Sequence, residues 1–363
     1  MRDNLHTPRL TRFALAATTC AGLAFAMAPA GAAEEYNYHL EKVVTIPSSD
    51  TGWDYNALDA RRGHLFIAHR KDGLHVYDVR AGRMLKTLAG SEGTNTAALA
   101  PEFDLGIAGT TDGAVILFHP SNLKVVKRYQ SSTGGFDGAT YDPVSQRFAM
   151  VGEADEKAGT TPVLFFDART GQETGSVTIA SIKVDAPRPD GKGQIYLPLR
   201  DKALVSRIDT RNLKETGRLT LGECRMPASL DLDTSRQRLF VGCRGKDANG
   251  PRLVVLDLRD GQQMASLPIG RGVDEVLFNP KTGTVLTADG QDATMTVIAP
   301  AGPDSYRVAQ TVGTRPMART GVLDEATGKV YLVNAQYVQD YDAKGEATTR
   351  FLPNTFSVLT YSR

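Results

Sequence analysis

Short apolar segments alternate with polar turns along almost the whole chain. Segments such as "HLFIA", "RFAMV", "RLFVG" and "KVYLV" recur, and their centres lie 41 to 47 residues apart, at Phe66, Ile107, Ala149, Tyr196, Phe240, Leu286 and Tyr331. Three more short segments, rich in β-branched and aromatic residues, accompany each one. This pattern is typical of β-strands. Beyond residue 33, no stretch has a convincing helical periodicity.

The turns repeat together with the strands. "DARRG", "DPVSQ", "DTSRQ" and "NPKTG" separate the first two strands of a unit, and "DVRAG", "DARTG" and "DLRDG" separate the last two. Asp and Asn accept hydrogen bonds from the backbone ahead of them, and Gly supplies positive φ. Seven four-stranded antiparallel units with a period near 44 residues match propeller blades. We therefore predict an all-β, seven-bladed propeller that forms a single domain over residues 34–363.

The seventh unit lacks a fourth strand of its own. Its third strand, "TFSVLTY", is followed only by the last residues of the chain, whereas "YNYHLEKVVTIP" (36–47) has no unit to belong to. We predict that this N-terminal strand completes the last blade and so removes the free edges of the ring.

These blade motifs resemble a known family. "RLFVGCR", "KVVKRY" and "TFSVLTYS" are similar to repeats of the YVTN-repeat seven-bladed β-propeller family, in particular its secreted YncE-like members. The resemblance covers essentially all of residues 36–363, and the name-giving tetrapeptide survives as "YLVN" at 331–334. It implies a periplasmic or surface propeller, usually without assigned catalytic residues. Some relatives are the propeller subunit of periplasmic redox enzymes.

Residues 1–33 have the pattern of a secretory signal peptide. Three arginines precede an apolar stretch that ends in small residues, and cleavage after Ala32 or Ala33 fits best. Removing this segment leaves a formal charge near −1, which argues against a nucleic-acid-binding surface driven by bulk charge. No later segment is long and apolar enough to cross a membrane. We expect a periplasmic or secreted monomer.

In each unit we label the strands A to D. The loops that enter strand A and the loops between strands B and C share one face of the ring, which we call the mouth. The first residue of strand A lies nearest the axis, twelve residues before the strand-B centre, or eleven in the fourth unit. These positions are Asp54, Asn95, Asp137, Asp185, Ala228, Asp274 and Arg319.

The predicted channel is therefore rich in oxygen ligands. Crowded carboxylates raise one another's pKa and favour a bound cation. Asp54, Asp137, Asp185 and Asp274 would suit Ca²⁺, Mg²⁺ or a protonated amine, with Arg319 pairing with one of its neighbours. The structural alternative is that each aspartate caps its own loop. Propellers with a catalytic metal on the axis, such as the lactonase-type group, use a Glu that is missing from these positions.

Aromatic and arginine side chains around a concavity are typical of recognition surfaces. The candidates for ligand contact at the mouth are Trp53, Asp54, Asn95, Asp137, Asp185, Asp274, Arg319, His69 and Arg225, with Arg70, Arg200 and Arg244 expected on the same face. Trp53 is the only tryptophan and has no counterpart in the other units. It is thus the first candidate for a specific contact. A rim of solvated loop residues would show the same pattern.

Cysteine and histidine positions add two expectations. Cys224 and Cys243 come to the same end of neighbouring strands, so we predict a disulfide in an oxidising compartment. Metal ligation by this pair with Met226 is the alternative. The histidines lack H-x-H and H-E-x-x-H spacing, and of them only His69 is expected at the mouth. We expect His75 to be a packing or surface residue.

The sequence favours a binding or scaffold protein that recognises a protein partner or a small ligand through its mouth. No catalytic constellation is recognisable, and no cofactor is indicated beyond a divalent cation in the channel. The alternative is enzymatic. A metal-assisted hydrolase, or the propeller subunit of a periplasmic redox enzyme, would use the acidic channel.

Overall fold

Thirty β-strands and one short 3₁₀ helix make up the regular structure of the described residues. The computed structural model describes residues 36–245 and 250–363, together with Met1. The predicted signal peptide lies outside the described residues and stays a prediction. None of the helical structure within the described parts is long and apolar enough to span a bilayer.

The strands follow one another blade by blade. The chain enters through β1 (His39–Thr45). Blades 1 to 3 are β2 (Asn56–Asp59), β3 (His64–His69), β4 (Gly73–Asp78), β5 (Arg83–Thr87); β6 (Thr94–Ala100), β7 (Leu105–Thr110), β8 (Ala114–His119), β9 (Lys124–Gln130); β10 (Phe136–Asp142), β11 (Arg147–Gly152), β12 (Thr161–Asp167), β13 (Glu173–Ile179). The 3₁₀ helix, Pro101–Phe103, lies between β6 and β7.

The second half continues the same order. Blades 4 to 6 are β14 (Arg188–Pro189), β15 (Gln194–Leu199), β16 (Leu204–Asp209), β17 (Lys214–Thr220); β18 (Pro227–Asp233), β19 (Arg238–Cys243), β20 (Arg252–Asp257), β21 (Gln263–Pro268); β22 (Val273–Asn279), β23 (Thr284–Asp289), β24 (Thr294–Gly302), β25 (Ser305–Gly313). The remaining strands are β26 (Thr320–Asp324), β27 (Lys329–Asn334), β28 (Tyr337–Tyr341), β29 (Ala347–Phe351) and β30 (Ser357–Ser362).

The last blade confirms the predicted closure. Its strand order is β1-β30-β27-β26, so the N-terminal strand takes the outer position next to the C-terminal strand. The pairing is antiparallel and runs from His39 opposite Ser362 to Thr45 opposite Ser357. The six other blades each use four strands in chain order. The chain is a seven-bladed all-β propeller, as the repeat predicts.

Burial follows strand position within a blade. Strands B and C are buried on both faces, as in β19, whose residues are all buried. The outer strand D alternates or is exposed, as in β9. The described residues form seven apolar clusters, and each contains side chains from two neighbouring blades. The core is therefore a ring of inter-blade contacts, and every blade depends on both neighbours.

The repeated turns use the expected chemistry. Oδ1 of Asp78 accepts hydrogen bonds of 2.9 Å from the backbone amides of Arg80 and Ala81. Asp142 accepts in the same way from Val144 and Ser145, at 3.2 and 3.1 Å. Asp59 belongs to this set of turn aspartates, and its carboxylate also pairs with Arg62. These aspartates therefore shape turns.

A two-stranded hairpin, β28 and β29, interrupts blade 7. It lies between strands B and C of that blade, where the other blades have a short loop. The insertion was not expected from the repeat. Phe351, at its end, packs on Trp53 with ring centroids 4.8 Å apart. The end of the hairpin thus packs at the junction between blades 7 and 1.

The disulfide is confirmed between Cys224 and Cys243. Their Cα atoms are 5.4 Å apart, and both residues are fully buried. The bond ties the loop that enters blade 5 to the end of its strand B. It is consistent with an oxidising compartment.

Replacing both cysteines with alanine should lower the free energy of unfolding by about 3 kcal/mol, because the disulfide closes a loop of about 20 residues in the unfolded chain. Urea unfolding of the wild type, with and without reductant, measures this loss. Reductant should not shift the midpoint of the Cys224→Ala/Cys243→Ala variant. Equal midpoints for oxidised wild type and double variant would contradict the prediction.

Candidate functional site

A backbone irregularity places the predicted channel residues. In four blades the pairing of strands A and B shifts at the start of strand A, and Asn95, Asp137, Ala228 and Asp274 lie within these bulges. A bulge leaves its extra residue unpaired and re-aims the side chain. Asp54 lies just before β2, and its amide donates to the carbonyl of Ala68. The repeat position is therefore a bulge or the end of strand pairing, which frees the side chain for the axis.

Asp54 and Asn95 share an arginine. Nη2 of Arg70 lies 3.2 Å from Oδ2 of Asp54, and Nε of Arg70 donates to Oδ1 of Asn95 at 2.9 Å. Burial raises the pKa of Asp54 to about 6, an effect that the nearby Arg319 partly offsets. The guanidinium thus links blades 1 and 2 across the mouth.

Two more channel carboxylates have arginine partners. Asp185 accepts two hydrogen bonds from Arg200, at 3.0 and 2.6 Å. Asp274 contacts Arg244, and Nε of Arg319 lies 3.0 Å from its Oδ2. The predicted pairing of Arg319 with a neighbouring aspartate is thus observed at Asp274. Burial still raises the pKa of Asp185 to about 7.

Asp137 is the exception among the four aspartates. It makes no ion pair or side-chain hydrogen bond with any described residue. Burial raises its pKa well above the ordinary value, and the charges of Asp54, Asp185 and Asp274 raise it further, while Arg200 lowers it in part. Asp137 is therefore the channel carboxylate most open to a cationic partner.

A cavity of about 410 Å³ opens beside Asp137. We call it the mouth cavity; its charged lining residues are Asp137, Glu153, Glu156, Lys183, Asp185 and Arg200, and Phe136, Ile182 and Val184 add apolar surface. Four acidic side chains face two basic ones, so acidic groups outnumber basic groups in the lining. Its size is that of a small-ligand pocket.

A second polar layer lies next to the bulge residues. Arg188 contacts the carboxylate of Glu275, which is 1% exposed. Burial raises the pKa of Glu275 to about 8, although Arg188 opposes the shift. The phenol of Tyr55 is surrounded by the channel aspartates, and burial raises its pKa well above the ordinary value. Glu275 is one residue beyond Asp274 and is held by Arg188, so it does not occupy any of the seven predicted axis positions.

Two candidates for ligand contact have buried rings. Trp53 is 1% exposed and packs between Phe351 and Phe356. His69 is fully buried and stacks on Phe356, with centroids 4.0 Å apart. Both rings are thus buried at the interface between blades 7 and 1 rather than exposed at the mouth, and their contact with a ligand stays a prediction. Arg225 is exposed and donates to two carbonyls of its own loop.

The arginine partners carry a sequence signal of their own. Arg70, Arg200 and Arg244 each lie four residues after their strand-B centre. That position begins the B–C loop. Arg70 and Arg200 pair with the aspartate at the start of strand A in their own blade, whereas Arg244 pairs with that of the next blade, Asp274. The repeat therefore encodes the ion pairs, whereas the sequence alone predicts only that these arginines lie on the mouth face. Guanidinium groups are the partners of three of the four aspartates. The hypothesis that the four aspartates bind a divalent cation stays a prediction.

Solved structures resemble this chain in fold but not in sequence. The structure of U3-55K superposes with a TM-score of 0.70 at 9% identity, covering 89% of this chain and 99% of that chain. The RRP9 WD40 repeats give 0.70 at 8%, covering 88% and 97%. A chain of the Mitotic Checkpoint Complex gives 0.68 at 11%, covering 95% and 99%. No family model and no curated protein matches the sequence. The neighbours establish the propeller fold alone.

Proposed function

We propose that this chain is a periplasmic or secreted binding protein whose mouth cavity receives a cationic amine or guanidinium group, carried by a small ligand or by a side chain of a protein partner. One observation carries the proposal: Asp137 makes no ion pair with any described residue, and it lines a cavity in which acidic side chains outnumber basic ones. The apolar wall formed by Phe136 and Val184 suits the aliphatic part of such a group.

Three features support the proposed compartment and the proposed binding role. The disulfide suits an oxidising compartment, and the N-terminal sequence has a signal-peptide pattern. The blade motifs resemble the YVTN-repeat family, whose secreted members usually have no assigned catalytic residues. A binding role needs no further chemistry from the mouth than recognition of charge and shape.

Titration calorimetry with Nα-acetyl-lysine amide, Nα-acetyl-arginine amide and 1,4-diaminobutane tests the proposal. Nα-acetyl-norleucine amide is the neutral match for the lysine probe. We expect at least one cationic probe to bind, with an affinity at least tenfold higher than that of the norleucine probe. Asp137→Asn should abolish the difference. Glu92→Gln, an exposed carboxylate on the mouth outside the cavity, should leave it unchanged. Equal binding of charged and neutral probes would refute the proposal.

The affinity should rise with pH. Because the pKa of Asp137 is raised, the empty cavity holds a proton that a bound cation must displace. Wherever that proton is still bound, each pH unit upward should strengthen binding by up to about tenfold. Calorimetry in buffers of different ionisation enthalpy, at pH 6 and 8, counts the released proton. Asp137→Asn should reduce the pH dependence to what Asp185, whose pKa is raised to about 7, still contributes. A pH-independent wild type would contradict the mechanism.

A further inference from the structure

Three potential metal ligands converge away from the channel, at the B–C turn of blade 1. Nδ1 of His69 lies 2.9 Å from Nε2 of His75 and 3.3 Å from Oδ2 of Asp72. The three ligand atoms all lie within 4.8 Å of one another. We call these residues the histidine cluster. No channel residue belongs to it.

The strand register explains the convergence. His69 is opposite Gly73 in the pairing of β3 and β4, and His75 follows two residues later, so both rings lie on the same face. Asp72 lies in the tight turn between them, where its carboxylate also accepts the amide of Ser49 at 2.7 Å. The spacing His-x₂-Asp-x₂-His across a β-turn is therefore the sequence signal of the cluster.

The surroundings prepare the rings for metal binding. Nδ1 of His75 lies 2.8 Å from the hydroxyl of Thr87. If the ring donates its proton there, Nε2 is left as a free lone pair. Burial lowers the pKa of both histidines to about 4, and the mutual repulsion of the rings adds to this at His69.

The same contacts leave a metal-free pair imperfectly satisfied. If His69 donates through Nδ1 to His75, its Nε2 becomes a buried acceptor. This atom makes no well-formed hydrogen bond among the described residues, although the Thr51 backbone favours a proton on the ring. A cation on Nδ1 would move the ring proton to Nε2, on the side opposite the metal. In that tautomer the proton on Nε2 would be on the side of the ring that the Thr51 backbone favours.

The distances are close to those of a zinc site. Zn²⁺ binds imidazole and carboxylate at about 2.0–2.2 Å, so tetrahedral ligand atoms lie roughly 3.3 Å apart. Nδ1 of His69 already lies 3.3 Å from the Asp72 carboxylate, and its separation from Nε2 of His75 would widen by a few tenths of an ångström. The separation between His75 and Asp72, which is at most 4.8 Å, would have to reach the same value by rotation of the partly exposed Asp72 side chain. The side chain of Asp72 is 18% exposed whereas His69 is fully buried, so a cation would enter past the carboxylate. A fourth position on that side would take water.

The geometry points to a binding site for Zn²⁺, or a similar first-row divalent cation, formed by Nδ1 of His69, Nε2 of His75 and the carboxylate of Asp72. Phe356 of blade 7 stacks on His69, and Ser49 of the chain after β1 contacts Asp72. A bound metal would therefore stabilise the junction at which the ring closes.

Tag-free mature protein, stripped with chelator and reloaded with Zn²⁺, provides the test, since a histidine tag would bind metal itself. We expect one zinc per chain by elemental analysis after dialysis, a melting temperature several degrees higher, and a tetrahedral visible spectrum with Co²⁺. Asp72→Asn and His69→Gln should lower Zn²⁺ affinity at least tenfold. Thr87→Val, which removes only the partner of His75, should lower it about 10- to 100-fold.

Matched controls separate this site from others. Asp50→Asn, an exposed carboxylate nearby, and Asp137→Asn in the channel should keep both the stoichiometry and the affinity. The inference is overturned if folded wild type retains no zinc, or if the Asp72 and His69 variants bind it as tightly as the wild type. It is equally overturned if zinc is lost in Asp137→Asn but kept in Asp72→Asn. The Co²⁺ spectrum of the wild type keeps the test independent of any variant that folds poorly.

Discussion

A chain that lacks residues 34–47 is expected not to accumulate as a folded propeller. The deletion removes β1, the outer strand of blade 7, and exposes the whole free edge of β30. It also opens the ring in blade 7, where the N-terminal and C-terminal parts of the chain are joined by non-covalent contacts. Every blade packs against both of its neighbours, so an unpaired edge in blade 7 weakens the whole ring. No part of the ring remains that could fold as an intact domain.

The energetics support a large effect. Tyr38 and Ile46, each 2% exposed, pack into the clusters on either side of blade 7. Burying each side chain contributes about 1.5–3 kcal/mol. The backbone of Tyr38 also makes two hydrogen bonds of 2.9 Å with the side-chain carboxamide of Gln310. The Tyr38 N–H donates to Oε1, and Nε2 donates to the Tyr38 carbonyl. With the strand ladder included, the loss exceeds about 5 kcal/mol, which equals the whole stability of many domains.

A synthetic peptide of residues 36–47 makes the test specific. Added to the truncated chain during refolding, it should restore the circular dichroism and the melting transition by supplying the missing strand. In the full chain, Tyr38→Ala should cost about 3–5 kcal/mol in urea unfolding. Leu40→Ala, two residues further along the chain in β1 and 41% exposed, should cost much less. A truncated chain that melts like the wild type would disprove the closure argument.

Most of the fold could be predicted because it depends on local, repeated chemistry. Aspartate and glycine mark the same turns in successive blades, and the period between strand-B centres positions every strand A. The hairpin of β28 and β29 escaped prediction because it follows no repeat and is largely exposed. Its anchor is Phe351, and the partner of that ring lies almost 300 residues earlier, at Trp53.

In the candidate site, too, the backbone positions could be predicted from the repeat, whereas the side-chain partners could not. Backbone positions can be counted from the repeat, so the sequence predicts that Asp137 and Asp185 start strand A of neighbouring blades. Both residues line the mouth cavity. Side-chain partners depend on rotamers and on neighbouring blades, so the engagement of Asp185 by Arg200 was not foreseen. The histidine cluster was missed for a different reason. Its spacing, His-x₂-Asp-x₂-His across a β-turn, is neither H-x-H nor H-E-x-x-H, the two spacings by which histidine metal ligands are usually recognised in a sequence.

Trp53→Ala is expected to destabilise the protein by about 3–5 kcal/mol, and not merely to weaken ligand binding. The indole is buried between two phenylalanine rings, and the guanidinium of Arg319 lies 6.0 Å from its centre. Truncation would leave a cavity between blades 7 and 1 that the surrounding strands cannot fill. Urea unfolding followed by circular dichroism measures the loss, since the variant has no tryptophan fluorescence.

Trp53→Phe provides the matched control. The indole Nε1 has no hydrogen-bond partner among the described residues, so phenylalanine loses volume but no hydrogen bond and should cost less than half as much. Tyr341→Ala, on the exposed side of the hairpin, should be close to neutral. A double-mutant cycle with Phe351→Ala should give a coupling of about 0.5–1.5 kcal/mol. If Trp53→Ala kept its stability and lost only amine binding, the tryptophan would be a recognition residue, and the hairpin could not pack over it as observed.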